Sequence, residues 1–327
     1  MYLLLLFGLI AIAVWATIIT PRISLIVVCG LFLILAGLLN YDIVRFELGF
    51  TTLTVDRLML AVLLSVFGVQ WIRKKTEPRD IPASEWLLLG FLAVLVVNTF
   101  TNDWRNPGFE QSPVLPHLFE GYLIPFALYW IARRANIQKR GVDILYAMFA
   151  VFGVYLAVTA ILEVAGAWQL VFPRKIGDPL AGIHFGRARG PFLQSVRLGL
   201  YLLVSLFATW IPLVTERRWG RGGQLLGFAM LGLYAAAIYA TYTRSVWLAF
   251  IIAGLSLAVL AWPVRLRRVV IFASIFAIVG GVVVTDALLS VKRETTAEES
   301  KESTEMRAVF AYVSWKMFQD KPLTGFG

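Results

Sequence analysis

Four basic side chains in one loop are the residues best suited to chemistry. Residues 168–190 separate two apolar runs and contain Arg174, Lys175, Arg187 and Arg189. A guanidinium presents a planar fork of donors, keeps its charge and binds a phosphate through two hydrogen bonds. The cluster therefore predicts a phosphate or pyrophosphate site. The alternative is that these side chains reach toward lipid headgroups, as arginines at a membrane interface do.

Two further arginines lie beside apolar runs. Arg197 follows the loop by one to two helical turns, and Arg244 ends the short hydroxyl-rich linker 241–244. A charged side chain at such a place is costly without a partner. We interpret both as functional cations, with a structural ion pair as the alternative for Arg244.

Acidic groups and histidines that we predict on the same membrane face as these arginines give weaker indications of function. Glu163, Glu120 and the Asp56–Arg57 pair lie near helix ends as ion-pair partners or bases, and structural pairing is the favoured interpretation. His117 and His184 have the pattern of ordinary loop or helix-end residues. Polar groups thus concentrate at one membrane face, which favours chemistry on a lipid-borne substrate over a transport pathway through the bilayer.

Composition identifies the elements that must position these residues. The chain has 327 residues, of which 59% are hydrophobic and 15% charged, so most of its surface must be buried in lipid. One cysteine, Cys29, and two histidines exclude a disulfide framework and a cysteine- or histidine-rich metal site. The net charge of +10 comes mostly from short loops between apolar runs, which indicates membrane topology rather than nucleic-acid binding.

The predicted fold class is all-α, a polytopic membrane helix bundle of about ten spans, because a span needs roughly 20 apolar residues. The ten runs are 2–20, 22–39, 54–72, 84–101, 116–132, 142–166, 193–213, 223–241, 245–263 and 268–289. Basic residues collect in the loops after the third, fifth, seventh and ninth runs, which places those loops in the cytoplasm. The arginine-bearing loop 168–190 and residue 244 then face outward.

We predict two domains, a transmembrane helical domain over residues 1–290 and the start of a large external loop over 291–327. Residues 291–304 are dense in charge and are expected to be solvated or flexible. From residue 305 to 320, apolar residues recur at helical spacing and predict an external amphipathic helix. The chain ends in a turn-forming stretch, so we expect it to be truncated at its C-terminus.

Several motifs together resemble the O-antigen ligase and Wzy-type polymerase superfamily over most of the chain. They are Gly121-Tyr-Leu-Ile-Pro-Phe126, then Arg187-Ala-Arg-Gly-Pro-Phe192 leading through Gln194 and Ser195 to Gly199, Thr243-Arg-Ser-Val-Trp-Leu-Ala-Phe250, and the closing stretch 307–327 with Trp315, Phe318, Asp320, Pro322, Gly325 and Gly327. In the third motif, Ser245-Val246 follows Arg244 where the family has a Ser-Arg-Gly segment.

The resemblance implies a metal-independent C-type glycosyltransferase of lipopolysaccharide or polysaccharide biosynthesis, with no cofactor. Its donor would be an undecaprenyl-pyrophosphate-linked glycan, and its acceptor a glycan, lipid or protein hydroxyl at the periplasmic face of the bacterial inner membrane. The resemblance assigns catalysis to Arg244 and Arg197, and substrate binding to Arg187, Arg189, Arg174, Lys175 and Arg307. It assigns acceptor activation to a histidine further along the periplasmic loop, so we expect this chain to be inactive alone.

Ligase and polymerase differ in their acceptor, on which the apolar spans carry no information. A transporter or flippase for an anionic or lipid-linked substrate is the alternative from another class. A membrane scaffold without catalysis in polysaccharide assembly is a third.

Overall fold

The computed structural model describes residues 23–39, 45–47, 52–77, 80–101, 118–183, 185–215, 220–261 and 297–322. Its helices are α1 Leu25–Leu38, α2 Val55–Ile72, α3 Ala83–Thr101, α4 Ile124–Arg133, α5 Lys139–Val164, α6 Ser195–Trp210, α7 Arg221–Ala240, α8 Arg244–Ala261 and α9 Ala297–Asp320. π-helical turns precede α4 at Phe119–Leu123 and extend α6 at Ile211–Thr215. A small antiparallel hairpin pairs β1 Arg45–Glu47 with β2 Thr52–Thr54.

Eight of the ten predicted helices have counterparts among the described residues, and the predicted count of about ten spans is not confirmed. Five described helices are long and apolar enough to cross a membrane, namely α2, α3, α5, α7 and the stretch Ser195–Leu213 that contains α6. The apolar helices α1 and Arg244–Ser256 are shorter. The predicted spans 2–20 and 268–289 lie outside the described residues. The all-helical membrane class is therefore confirmed, with the hairpin as a local exception.

The chain divides into two compact units, Met1–Glu77 with Ala135–Val279 and Pro78–Arg134 with Gly280–Gly327. In the first unit the helices alternate in direction. Ser24 before α1 lies against Gly141 at the start of α5, and Gly37 at the end of α1 lies against Phe192. Gln70 near the end of α2 donates a hydrogen bond to the carbonyl of Ile23 over 3.1 Å. The end at which α5 ends and α6 and α8 begin is called the arginine end.

Close packing of α5, α6, α7 and α8 forms the core of the first unit. Leu156, Leu198, Leu202 and Ile238 are buried in it, and the buried Tyr234 hydroxyl donates to the carbonyl of Ala150 over 2.7 Å. At Gly153 an added Cβ would overlap the Ser205 side chain. Small residues let helix backbones approach in lipid, where dispersion contacts and interhelical hydrogen bonds replace the hydrophobic effect as the source of cohesion.

The second unit carries an ion pair of its own. Buried Glu85 on α3 pairs with Arg133 at the end of α4 and accepts a hydrogen bond from the Tyr129 hydroxyl over 2.8 Å. Arg133 also donates to the Asp80 carbonyl over 2.7 Å. The pair therefore ties α3 to α4.

Helix α9 begins eight residues earlier than the predicted helix at 305–320 and takes in residues 297–304, which were expected to be solvated or flexible. Alanine, glutamate and lysine in that stretch are strong helix formers, which explains the longer helix. The predicted apolar side chains are exposed, among them Val309, Phe310 and Phe318. Arg307, a predicted substrate-binding residue, lies within α9. Its side chain is not among those that the structure describes.

Candidate functional site

The loop between α5 and α6, residues 165–194, is called the arginine loop. Three short 3-10 turns shape it at Trp168–Leu170, Arg174–Gly177 and Gly190–Phe192. Val171, Ile176, Ala181 and Leu193 form a small core of the loop, against which Leu162 of α5 packs. The loop is therefore an ordered element that is built onto the end of α5.

One glycine of the arginine loop is required by its close contact. Gly182 has a φ of +70°, and an added Cβ would overlap the carbonyl of Leu193. The next residue, Ile183, donates its backbone N–H to that same carbonyl over 3.1 Å. The loop segments that contain residues 182 and 193 can approach each other here because glycine has no side chain.

A buried ion pair holds the arginine loop to α5. Glu163, in the last turn of α5, accepts hydrogen bonds through Oε2 from the backbone N–H groups of Arg189 and Gly190, over 2.8 and 2.9 Å. Its Oε1 accepts from Nε of Arg189 over 3.4 Å, and both side chains are at most 1% exposed. A buried carboxylate requires such compensation, because desolvating a lone charge costs several kcal/mol.

The rest of the Arg189 side chain binds the loop itself. Its guanidinium donates to the carbonyl of Ala181 over 2.6 Å and to that of Ile176 over 2.8 Å. The guanidinium carbon also lies 4.8 Å from the ring centre of Phe185. Arg189 therefore joins three parts of the loop to Glu163, and its predicted contact with a substrate has no support in this geometry.

The other predicted cations of the loop have a different environment. Arg174 and Lys175 are exposed on the 3-10 turn Arg174–Gly177, and Arg187 is half-buried. The backbone N–H of the following residue, Ala188, donates to the carbonyl of Ala240 over 3.1 Å. This bond connects the arginine loop to the last residue of α7, four positions before Arg244.

Packing between α6 and α8 brings Arg197 and Arg244 to the same end of the unit. Gly199 lies directly against the side chain of Val246, and a Cβ at residue 199 would overlap it. Each arginine precedes that contact by two residues, about 3 Å along its helix. Both helices begin at the arginine end, and both arginines are exposed. The predicted catalytic pair is thus placed on two neighbouring helix N-termini.

The turn between α7 and α8 fixes the backbone at Arg244. The Thr241 hydroxyl donates to the carbonyl of Ile238 over 2.7 Å, and the indole N–H of Trp247 donates to the same carbonyl over 3.1 Å. Trp247 also stacks on Tyr239 with ring centres 5.2 Å apart and planes 8° from parallel. These contacts connect the first turn of α8 to the last turn of α7.

The resulting arrangement favours an anionic ligand. The N-terminus of a helix carries a partial positive charge and backbone N–H groups that point out of the helix, and it attracts phosphate groups. Two such ends lie side by side here, with Arg197 and Arg244 in their first turns. Among the described residues, no group of three or more histidine, cysteine or acidic side chains is suited to hold a metal ion.

Several other predicted residues lie elsewhere. Residues 117 and 184, both histidines, are outside the described part of the chain. Glu120 is exposed on the π-helical turn of the second unit, and Asp56 and Arg57 lie half-buried in the first turn of α2. None of the contacts above involves these three side chains. Sequence reasoning proposed an ion pair for Glu163 but did not identify Arg189 as its partner.

Comparison with known proteins agrees with the earlier resemblance. Residues 229–327 match the family model described as O-antigen ligase. The match begins within α7, contains the α7–α8 turn with Arg244, and extends over α9. It confirms the resemblance to the O-antigen ligase and Wzy-type superfamily. No curated protein and no solved structure matches the chain significantly.

Proposed function

We propose that this multi-pass membrane protein transfers or polymerises a glycan from an undecaprenyl-pyrophosphate-linked donor to an acceptor hydroxyl. The family match at 229–327 supports the enzyme class, since O-antigen ligases are glycosyltransferase-like enzymes. In this proposal the arginine end faces the periplasm, where both the lipid-linked donor and the acceptor are available.

The observation that carries the proposal is the grouping of Arg197 and Arg244 on neighbouring helix N-termini. Both side chains are exposed, and the Gly199–Val246 contact fixes the two helix starts relative to each other. A pyrophosphate has two phosphoryl groups and several charged oxygens, and it is the kind of anion that helix N-termini and guanidinium groups bind.

The chemistry follows from where negative charge develops. The bond between sugar C1 and the donor phosphate oxygen breaks, and its electron pair leaves with the pyrophosphate. The acceptor oxygen forms the new bond to C1, and its proton passes to a general base, which the family resemblance implies is a histidine of the periplasmic loop. Arg244 and Arg197 stabilise the leaving pyrophosphate more strongly in the transition state than in the ground state, which accelerates the reaction.

The remaining cations have supporting roles in this proposal. Arg174, Lys175 and Arg187 attract and bind the donor, and the assignment of Arg307 to substrate binding stays a prediction from the family resemblance. Arg189 and Glu163 hold the loop that carries the binding residues. The reaction needs neither a metal nor another cofactor, because the fixed cations supply the charge stabilisation.

The test compares two arginines of matched position in cells that carry the natural gene. Arg244→Ala removes the charged side chain from the first residue of α8, at the arginine end. Arg221→Ala removes it from the first residue of α7, at the opposite end. With equal protein levels in the membrane, we expect Arg244→Ala to abolish polymer or lipid-attached glycan on a gel and Arg221→Ala to preserve it.

The glycan pattern also separates the two acceptor classes. Loss of long chains would identify a polymerase, and loss of attachment to the acceptor lipid, with the glycan left on its donor lipid, would identify a ligase. Unchanged glycan in Arg244→Ala would remove this residue from the mechanism. Accumulation of substrate in sealed vesicles without bond formation would support the transporter instead.

A further inference from the structure

The arginine loop exposes an unusual number of large apolar side chains. Leu180 is 93% exposed, Leu170 72%, Phe172 59% and Ile183 51%. The loop has a core of its own and a buried ion pair, so these side chains are presented by an ordered backbone. Four large exposed apolar side chains on one ordered loop indicate contact with a membrane or a partner.

A single hydrogen bond sets the level of this surface relative to the spanning helices. The Tyr155 hydroxyl donates to the backbone carbonyl of Phe172. Tyr155 lies nine residues before Val164, the last residue of α5, which is about 14 Å along the helix axis. Helical side chains lean toward the N-terminus of their helix, so the hydroxyl lies no closer to the end of α5 than this. Phe172 therefore lies alongside α5 rather than beyond it.

The length of α5 places that level inside a bilayer. The helix has 26 residues and is about 39 Å long, whereas a hydrocarbon core is about 30 Å thick. If the whole excess of about 9 Å projected beyond the bilayer at the arginine end, Tyr155 would still lie about 5 Å within the core. A bilayer that covers α5 therefore also surrounds the part of the loop at Phe172.

The loop backbone at Phe172, Ile176 and Ala181 meets the requirement for irregular structure at this depth. Such backbone is tolerated only where protein groups satisfy its N–H and carbonyl groups. The Phe172 carbonyl is bound by Tyr155, and residue 173 is a proline without an N–H. The carbonyls of Ile176 and Ala181 accept from Arg189. The buried guanidinium thus satisfies loop carbonyls that water could not reach.

We propose that the arginine loop is immersed in the phospholipid leaflet at the arginine end. Leu170, Phe172 and Leu180 contact acyl chains, while Arg174 and Lys175 extend to the lipid phosphates. This inference needs only that the helices span a membrane and stands apart from glycan transfer. It also places the loop in the plane in which the phosphates of any lipid-borne substrate diffuse.

Spin labelling measures this immersion directly. Cys29 is the one cysteine of the chain, so Cys29→Ala gives a background for single labels. A nitroxide on Leu180→Cys disturbs little, because the native side chain is almost fully exposed. In phosphatidylglycerol–phosphatidylcholine vesicles, its collision rates with oxygen and with a water-soluble nickel chelate report its depth. Val151→Cys on an exposed face of α5, deeper in the span, supplies the lipid reference, and Arg73→Cys after α2 supplies the aqueous one.

We expect the oxygen-to-nickel ratio at residue 180 to be several-fold above that at residue 73 and to approach that at residue 151. Leu170→Cys repeats the measurement at a second point of the same surface. A ratio equal to that at residue 73 would show that the loop stands in water and would overturn the proposal. Protection from both reagents would overturn it as well, because a protein surface would then cover the loop.

Discussion

Arginines of the same stretch of sequence have opposite environments at the arginine end. Arg189 is fully buried against Glu163 and loop carbonyls, whereas Arg197, eight residues later, is exposed on the first turn of α6. Arg244 shares that exposed environment on α8. The buried group holds the loop in place, and the exposed groups are the ones that we propose bind a ligand.

This difference predicts different roles for the buried and the exposed arginines of one cluster. A buried guanidinium must satisfy its hydrogen-bond donors within the protein, so its charge stabilises the structure. An exposed guanidinium at a helix start retains its charge for an anion. Removal of the first kind should reduce stability, and removal of the second should reduce function at constant stability.

The largest effect on stability is expected from Glu163→Gln. The change leaves the Arg189 guanidinium buried without a counter-ion, which should lower the free energy of unfolding by about 3–5 kcal/mol. Thermal unfolding of the purified protein in detergent measures this loss. Glu120→Gln, at an exposed position of the second unit, serves as the control and should change little.

A second substitution tests the cause of that loss. Combining Glu163→Gln with Arg189→Met removes both charges and should restore part of the stability, because no unpaired charge is then buried, while the carbonyls of Ala181 and Ile176 lose their donor. If Glu163→Gln alone unfolded at the wild-type temperature, the ion pair would not hold the loop.

Gly199→Ala should have the next largest effect. The new methyl group overlaps Val246 and must push α6 and α8 apart, at a cost of about 1–3 kcal/mol in unfolding free energy. Val246→Ala in the same chain should relieve the overlap. Gly232→Ala on α7 has open space around its Cβ and provides the matched control. Equal unfolding temperatures of the two alanine variants would contradict the close helix contact.

Trp247→Phe addresses the turn that carries Arg244. It removes the indole hydrogen bond to the carbonyl of Ile238 and should reduce the unfolding free energy by about 1 kcal/mol. Glycan synthesis should fall further than this small loss of stability explains, because Arg244 is then less well positioned. Trp86→Phe, at an exposed site on α3, is the control. Identical activity of the two variants would show that the turn does not affect function.

The smallest effect on stability belongs to the exposed cations of the loop. Arg174→Ala combined with Lys175→Ala should change the unfolding free energy by no more than about 0.5 kcal/mol. Binding of a pyrophosphate lipid to the detergent-solubilised protein should weaken, and most clearly at low salt, where exposed charges are least screened. A loss of stability comparable to that of Glu163→Gln would place these residues with the buried group.

The sequence predicted the helices well because apolar runs of about 20 residues are unambiguous in a membrane protein. The predicted and observed bounds of α1, α2, α3, α5, α6, α7 and α8 differ by at most three residues. The start of α9 was missed because charge density indicated solvation, while the helix propensity of its alanine and glutamate residues determined the local structure.

The site was predictable in composition but not in arrangement. The arginines of the loop stood out because they violate the expected charge distribution of an external loop. Their division into buried and exposed groups depends on contacts across 26 residues, from Glu163 to Arg189, which no local pattern encodes. Likewise, the contact between Gly199 and Val246 depends on how α6 and α8 pack.

The most direct test measures unfolding temperature with and without a polyprenyl pyrophosphate. A ligand that binds only the folded state adds about 2.7 kcal/mol of stability at a hundredfold excess over its Kd. We predict that wild type gains this stabilisation. Arg244→Ala should keep the basal unfolding temperature and lose the gain, whereas Glu163→Gln with Arg189→Met should keep a measurable gain. An equal gain in wild type and Arg244→Ala would contradict the assignment of the exposed arginines to the pyrophosphate.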